Sequence, residues 1–217
     1  MRRWFDDSDT VLIKTYLHQK SFYGRFGKPS WKVKVFGGFN HQVTWGNESD
    51  FYTRDFYLSP IETFGYILTG KRYNSGFIEQ TRLGNHIGSL DIGLEYQFTN
   101  AEVFIYRQNF YEGGALSKLA NIQDGLNGLR LINKKQSESH LKWSKILLEI
   151  LYTVNQAGEP WSPEYGSLYE GYYNHGEYIE GWSYEGAALG TPFISTVNDV
   201  RSGLPAGPEE YFINNRV

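Results

Sequence analysis

Apolar and polar side chains alternate with a period of two along residues 90 to 98, LDIGLEYQF. Such alternation places one set on each face of an extended strand, whereas a helix would scatter both sets around its axis. Thr99-Asn100 supplies a two-residue turn, because asparagine tolerates positive φ. The pattern predicts a hairpin whose register gathers one apolar face: Leu90, Ile92, Leu94, Tyr96, Phe98, Ala101, Val103 and Ile105.

The return strand of this hairpin alternates less cleanly. Phe104 and Tyr106 fall on its polar side and Arg107 on its apolar side, and a turn one residue longer would exchange the two faces. Together with residues 31 to 45, the segments 86 to 98 and 101 to 111 are predicted to be long antiparallel strands of one curved sheet.

Residues 31 to 45, WKVKVFGGFNHQVTW, alternate over an unusually long span. Strands of soluble proteins usually contain about five or six residues, whereas a strand of this length would place Trp31 and Trp45 at the edges of an apolar band of about 25 Å. A bent strand in a soluble β-sandwich fits the same pattern equally well. In the membrane interpretation these side chains point outward: Val33, Val35, Phe39, Val43, Leu90, Ile92 and Leu94.

Residues 139 to 156 fit both a helical stripe and a strand face, so the pattern does not decide between them. Weaker strand candidates are Thr10 to Gln19, Ile61 to Thr69, Leu126 to Asn133 and Glu210 to Val217. These give about nine long strands in all. Residues 158 to 190 differ from the rest and form a loop rich in Gly, Tyr, Trp and Glu.

Composition narrows the function classes. The formal net charge is -3, which provides no basic field for a nucleic-acid backbone, so no nucleic-acid partner is expected. Aromatic residues make up 17% of the chain, and there is no cysteine. The sequence contains no run of about 18 apolar residues, so it predicts no transmembrane helix. The first residues lack the apolar segment of a secretory signal peptide.

Motifs for catalysis or metal binding are weak. The five histidines are scattered without metal-ligand spacing, and no phosphate-binding loop or nucleophile elbow occurs. Several glutamates lie among aromatic residues between Glu159 and Glu185, which keeps a glycoside hydrolase possible, although their spacing names no acid and base. We expect no catalytic residue, no cofactor and no metal.

Several segments together resemble one family. YRQNFYEGGALSKLANIQDGLNGLRLIN (106 to 133), GWSYEGAALGTPFIS (181 to 195) and YFINNRV (211 to 217) are similar to Bacteroidetes members of the Wzi capsule-assembly family, as is GGFNHQVTWG (37 to 46). The resemblance implies an outer-membrane β-barrel of antiparallel strands with a small helical element on the periplasmic side. It also implies non-enzymatic attachment of capsular polysaccharide, and it favours a strand over residues 139 to 154.

The resulting prediction is an all-β, antiparallel transmembrane β-barrel. Residues 1 to 217 would form a single outer-membrane barrel domain, incomplete at both ends and with long loops, because about nine strands are half of what the family closes. Its predicted partners are outer-membrane lipid and a capsular or surface polysaccharide. Two alternatives are a general outer-membrane porin or transporter and a β-rich glycoside hydrolase.

The aromatic loop supplies the candidate site. Flat rings on glycine-hinged loops suit stacking on sugar rings, although long barrel loops also fold inward and use Tyr and Trp to pack the lumen. The hypothesis is that four residues contact a surface glycan: Trp161, Tyr172, Tyr173 and Trp182.

Overall fold

A single antiparallel sheet dominates the structure. The computed structural model describes residues 16–46, 48–51, 55–76, 78–135, 143–158, 169–175, 178, 180–190, 192–203 and 213–214. Within these residues six long strands form one sheet, and shorter strands and two helices are attached to it. The chain is therefore all-β and antiparallel, as the alternation predicts.

The strands of the main sheet lie side by side in the order in which they occur along the chain. The helices are α1 (Glu48–Phe51) and α2 (Pro60–Thr69), and 3-10 turns cover Ala115–Lys118 and Val197–Asp199. The main sheet has the order β1-β2-β5-β6-β7-β8. In chain order the strands are β1 (Tyr16–Phe26), β2 (Val33–Trp45), β3 (Arg72–Ser75), β4 (Ile78–Arg82), β5 (Asn85–Gln97), β6 (Ala101–Tyr111), β7 (Gly125–Asn133), β8 (Lys145–Tyr152), β9 (Ser183–Tyr184), β10 (Ala187–Ala188), β11 (Ser195–Thr196) and β12 (Ile213–Asn214).

The three strands predicted from alternation are confirmed as β2, β5 and β6. The hairpin register is also confirmed, because Tyr96 pairs with Val103 and Leu94 pairs with Ile105. The ambiguous segment forms strand β8, and the candidate at Leu126 to Asn133 forms β7.

The described residues contain six long strands, whereas about nine are predicted for the whole chain. The first candidate strand, Thr10 to Gln19, lies partly outside the described residues, and β1 continues to Phe26. Of the last candidate, Glu210 to Val217, the structure describes the two residues of β12, which pair with β11 and not with the main sheet.

Residues 61 to 69 form helix α2, so the strand predicted there is wrong. The reason is local: Ser59 accepts a hydrogen bond from the backbone of Glu62, the Glu62 side chain accepts one from the backbone of Ser59, and Pro60 occupies the first turn. Gly70 then ends the helix with φ of 65°. These are helix start and stop signals, which outweigh a short apolar run. Among the described residues, no helix has both the length and the apolar character needed to cross a membrane.

The main sheet has an exposed face that is apolar, which we call the outer face. Ile92 is 62% exposed, and its neighbours along β5, Leu90 and Leu94, are exposed as well. Cross-strand pairing puts their counterparts on the same face. The exposed apolar residues that share this face include Phe22, Phe26, Val33, Val35, Tyr96, Ile105, Ile146, Leu148 and Ile150.

The opposite, inner face carries charges that are covered. Lys34 and Glu95 form an ion pair of 2.9 Å, and Glu95 is only 5% exposed. Gln97 donates hydrogen bonds to Glu95 at 2.8 Å and to Glu102 at 3.1 Å. Arg130 completes this row with a 3.1 Å contact to Glu102. At this end of the sheet the usual arrangement of a half-buried sheet, apolar in and polar out, is therefore reversed.

Helix α2 covers the outer face at one end of the sheet. Ile67 packs there against Val43, and Phe64 packs against Trp45 at 5.7 Å between ring centroids. Val43 is therefore fully buried, which corrects its predicted outward exposure. Trp31 lies before β2 and is exposed. Trp45 packs against Phe64 of the helix, so it is not an uncovered aromatic residue at the edge of the apolar band.

Glycines on the inner face make room for aromatic rings. A Cβ added at Gly38 would lie 2.5 Å from the ring of Tyr23, and one added at Gly93 would lie 2.7 Å from the ring of Phe104. The rings lie so close over these glycines that no side chain fits beneath them. This explains why Phe104 occupies the polar side of its strand.

A matched pair of alanine substitutions tests this packing. Gly93→Ala should lower the free energy of unfolding by about 1–3 kcal/mol, because the new methyl group collides with the Phe104 ring. Gly37→Ala, next to it on the outer face, meets nothing within 4 Å and should be close to neutral. Urea unfolding measures both values, and equal effects would contradict the ring packing over Gly93.

Candidate functional site

A groove runs along the inner face of the sheet and encloses about 320 Å³. Its sheet side carries polar side chains from alternate strand positions, namely Asn40 and Gln42 of β2, Ser89 of β5, Gln108 of β6 and Glu149 of β8. Amides, a hydroxyl and a carboxylate are thus collected on one surface. The amides and the hydroxyl can both donate and accept hydrogen bonds, and the carboxylate accepts them.

Aromatic rings adjoin these polar groups. Tyr23 lines the groove itself. Phe104 and Tyr106 continue the ring surface in an adjacent depression of about 240 Å³, with their centroids 5.3 Å apart. The Tyr106 hydroxyl donates a short hydrogen bond to Glu149, which orients that carboxylate. The inner face therefore combines flat apolar surface with hydrogen-bonding groups.

The other wall of the groove is formed by the docked loop, by which we mean the described residues between 169 and 196. Tyr173 and Trp182 of this loop line the groove together with Phe193. The loop is held by an apolar cluster that includes Phe110 and Leu126 from the inner face of the sheet. The loop thus closes over one end of the sheet.

Glu170 fixes the start of the docked loop to the end of β6. Its carboxylate accepts hydrogen bonds from the backbone N–H groups of Glu112 at 2.7 Å, Gly113 at 2.5 Å and Ala115 at 2.9 Å. Three donors around one carboxylate form a compact anchor. Glu170 is fully buried, so this part of the loop cannot move away without exposing all three donors.

Asp124 provides a second anchor, just before β7. Its carboxylate accepts hydrogen bonds from the backbone N–H groups of Asn155 at 2.9 Å and Gln156 at 2.7 Å, and from the Tyr172 hydroxyl at 2.9 Å. Asn121 donates to that hydroxyl at 2.6 Å. One buried carboxylate therefore joins the end of β8 to the docked loop.

Burial dominates the titration of these carboxyl groups. It raises the pKa of Glu112 well above its usual range, and the nearby Glu170 carboxylate raises it further. Burial also raises the pKa of Glu170 and of Asp124, although backbone N–H donors oppose the change in both. The Oε1 atom of Glu112 has no hydrogen-bond partner among the described residues. Glu112 thus favours its protonated form.

The structure places the four predicted glycan residues differently from one another. Trp161 lies outside the described residues. Tyr172 is 0% exposed and belongs to the apolar cluster, so its ring faces are covered. Tyr173 and Trp182 are also largely buried, but they border the groove. Inward packing of the loop accounts for these three rings, and glycan contact by any of the four stays a prediction.

The inner-face amides were not singled out from the sequence, although a signal for them exists. Asn40 and Gln42 occupy the polar side of the alternation in residues 31 to 45, and Gln108 lies on the polar side of the β6 segment. A polar side chain on the predicted lumen side of a barrel strand is a candidate contact with any molecule inside. The docked loop, by contrast, leaves no periodic signal.

The described residues contain no group of three or more His, Asp or Glu placed to hold a metal ion. No protein-family model matches the chain, and comparisons with curated proteins and with solved structures find no match either. Membership of the Wzi family therefore stays a prediction from the resemblance.

Removing the Glu170 anchor should release the docked loop. Glu170→Ala leaves three backbone donors without a partner and should lower the free energy of unfolding by about 2–5 kcal/mol. Limited proteolysis should then cut the loop faster. Glu185→Ala is the control, because Glu185 is an exposed glutamate of the same loop. Equal cleavage of the two variants would show that Glu170 does not hold the loop.

Glu112 should make stability depend on pH. Its raised pKa means that the native state keeps a proton that the unfolded chain releases near the ordinary value of 4.5. The free energy of unfolding should therefore fall as the pH rises from about 4.5 through the native pKa. Glu112→Gln should reduce this fall in the free energy of unfolding. Part of the fall should remain, because burial also raises the pKa of Glu170 and of Asp124. Denaturation midpoints across the pH range measure the effect, with exposed Glu180→Gln as the control.

Proposed function

We propose that this chain forms part of the wall of an outer-membrane β-barrel and takes part, without catalysis, in the assembly or attachment of a capsular or other surface polysaccharide. The observation that carries the membrane part is the reversed sheet. Its exposed face carries Ile92, Leu94 and Ile105 side by side, while the ion pair of Lys34 and Glu95 lies on the covered face. This is the side-chain distribution of a strand that lies between lipid and a polar interior.

The dimensions of the outer face support this proposal. From Leu90 to Phe98 the chain advances roughly 26 Å at about 3.3 Å per residue. A tilt of about 40° reduces this to roughly 20 Å along the membrane normal, close to the apolar band of about 25 Å in such barrels. Arg107 also lies on this face, opposite Ile92, and its guanidinium donates to Asn127 at 2.8 Å and to the backbone carbonyls of Gln123 and Asp124.

The inner groove supports the polysaccharide part. Sugar rings present apolar faces edged by hydroxyl groups, and the groove offers Tyr23 beside Gln42 and Gln108. None of the described residues that line the groove is Lys or Arg, so it suits an uncharged stretch of glycan better than an acidic one. The family resemblance is the second support for this function.

A general porin or transporter is the second candidate. The paired charges of the inner face, such as Lys34 and Glu95, would also suit a water-filled passage. The two candidates predict different consequences of groove substitutions, because diffusion of small solutes does not depend on individual amide groups that recognise a sugar.

An arginine on the outer face tests the membrane assignment. Ile92→Arg should disfavour folding into bilayers by about 2–4 kcal/mol, because a charge would face hydrocarbon. Leu119→Arg replaces a similarly exposed residue outside the sheet and is the control. The folded fraction in lipid vesicles, measured by heat-dependent gel mobility, should fall for Ile92→Arg alone. Equal folding of both variants would exclude lipid contact at Ile92.

Groove substitutions test the glycan assignment. Gln42→Ala combined with Gln108→Ala removes two hydrogen-bonding groups and should weaken retention of surface polysaccharide about ten-fold or more. Gln123→Ala, at an exposed glutamine away from the groove, is the control. Capsule retention on cells and binding of purified capsule measure the effect. Unchanged retention by a folded double variant would remove the groove from the site.

A further inference from the structure

Helix α2 has a buried stripe and a separate, exposed stripe that is apolar. Ile67 and Thr63 form its buried stripe against the sheet. Ile61, Phe64 and Leu68 recur at helical spacing on another side, where Ile61 is 80% exposed. A helix that only packs on a sheet is polar on its remaining surface. The second stripe therefore requires another explanation.

We propose that the exposed stripe of α2 lies in the interface of a lipid bilayer with phosphate-bearing, anionic headgroups, and that it anchors this end of the sheet at the membrane surface. The inference rests on the proposed membrane position of the sheet. It assigns a lipid contact to an element outside the strands.

Continuity with the outer face is the first support. The helix lies on that face, since Phe64 packs against His18 of β1 and Trp45 of β2. Lys20 donates to the backbone carbonyl of Leu68 at 2.5 Å, and Phe22, the next outward residue along β1, begins the exposed apolar band. The stripe therefore sits at the rim of the surface assigned to lipid.

Residue types around the stripe are the second support. Tyr16 is exposed and packs at 5.2 Å on Trp45, and Tyr57 is exposed just before the helix. Tyrosine and tryptophan are enriched where membrane meets water, because their rings are apolar and their polar groups reach the headgroups. These rings extend the stripe toward the water side of an interface.

Charge is the third support. Lys71 follows the helix and lies over the Tyr66 ring at 5.7 Å, and the exposed Arg72 comes next. The only acidic residue within α2 is Glu62, whose carboxylate accepts hydrogen bonds from Ser59. Basic groups flanking an apolar helical stripe favour anionic lipid headgroups.

Single labelled cysteines test the position of the stripe directly. The chain contains no cysteine, so each label reports one position. Ile61→Cys probes the stripe, Ile92→Cys probes the sheet, and Tyr184→Cys is an exposed control in the docked loop. Each variant carries a fluorophore and is reconstituted in vesicles of phosphatidylcholine with or without phosphatidylglycerol. Lipids with a nitroxide quencher at the headgroup or deep in the acyl chain report the depth.

The proposal expects quenching at position 61 by the shallow probe, at position 92 by the deep probe, and at position 184 by neither. Adding phosphatidylglycerol should increase quenching at position 61, and Lys71→Gln should reduce that increase. Quenching at 92 without quenching at 61 would overturn the helix proposal and leave the sheet assignment standing. Quenching at 61 alone would leave the helix proposal standing and reject the sheet assignment.

A second copy of the chain is the competing occupant of the stripe. Without lipid, the label at position 61 should stay accessible to a water-soluble quencher at every protein concentration. Protection that grows with protein concentration would show that another copy covers the stripe and would overturn the lipid proposal. The substitutions Ile61→Ser and Leu68→Ser, made in separate chains labelled through Phe64→Cys or through Ile92→Cys, should remove shallow quenching at position 64 and leave the depth at position 92 unchanged.

Discussion

Charges on the covered face of the sheet must find partners within the protein, and the arrangement of the inner face follows from this requirement. Moving an unpaired charge away from water costs several kcal/mol, so Lys34 and Glu95 are stable there only as a hydrogen-bonded pair. Gln97 links that pair to Glu102 and Arg130. The network crosses several strands and therefore also opposes a shift of register, which would separate every pair at once.

The inner face combines polar groups with dense packing, because aromatic rings lie over glycines there. Gly38 and Gly93 remove side chains where Tyr23 and Phe104 lie down on the sheet. The rings then fill space without projecting far into the interior. A groove can therefore exist beside them, and its amide groups remain accessible between the sheet and the docked loop.

Local periodicity was enough to predict the hairpin of β5 and β6, because both the turn and the alternating faces depend on neighbouring residues. The same reasoning fails at α2, where the apolar run predicts a strand although Ser59 and Glu62 are helix start signals and Gly70 is a stop signal. Hydrophobic periodicity does not predict the conformation of the docked loop. Tyr172 is buried because Asp124 and Asn121, about fifty residues earlier in the chain, supply its hydrogen-bond partners. Such pairings depend on tertiary structure and leave no mark on the local pattern.

Both carboxylate anchors of the docked loop bind backbone N–H groups. Glu170 contacts the main chain at Glu112, Gly113 and Ala115, and Asp124 contacts it at two further positions. A main-chain donor is present whatever the side chain is, unless the residue is proline. The three donors to Glu170 therefore stay in place when the side chains at positions 112 and 115 change, whereas the contact of Asp124 with the docked loop depends on the Tyr172 hydroxyl. The groove residues Gln42 and Gln108 belong to neither anchor, so what the groove contacts can change without a change in how the loop is held.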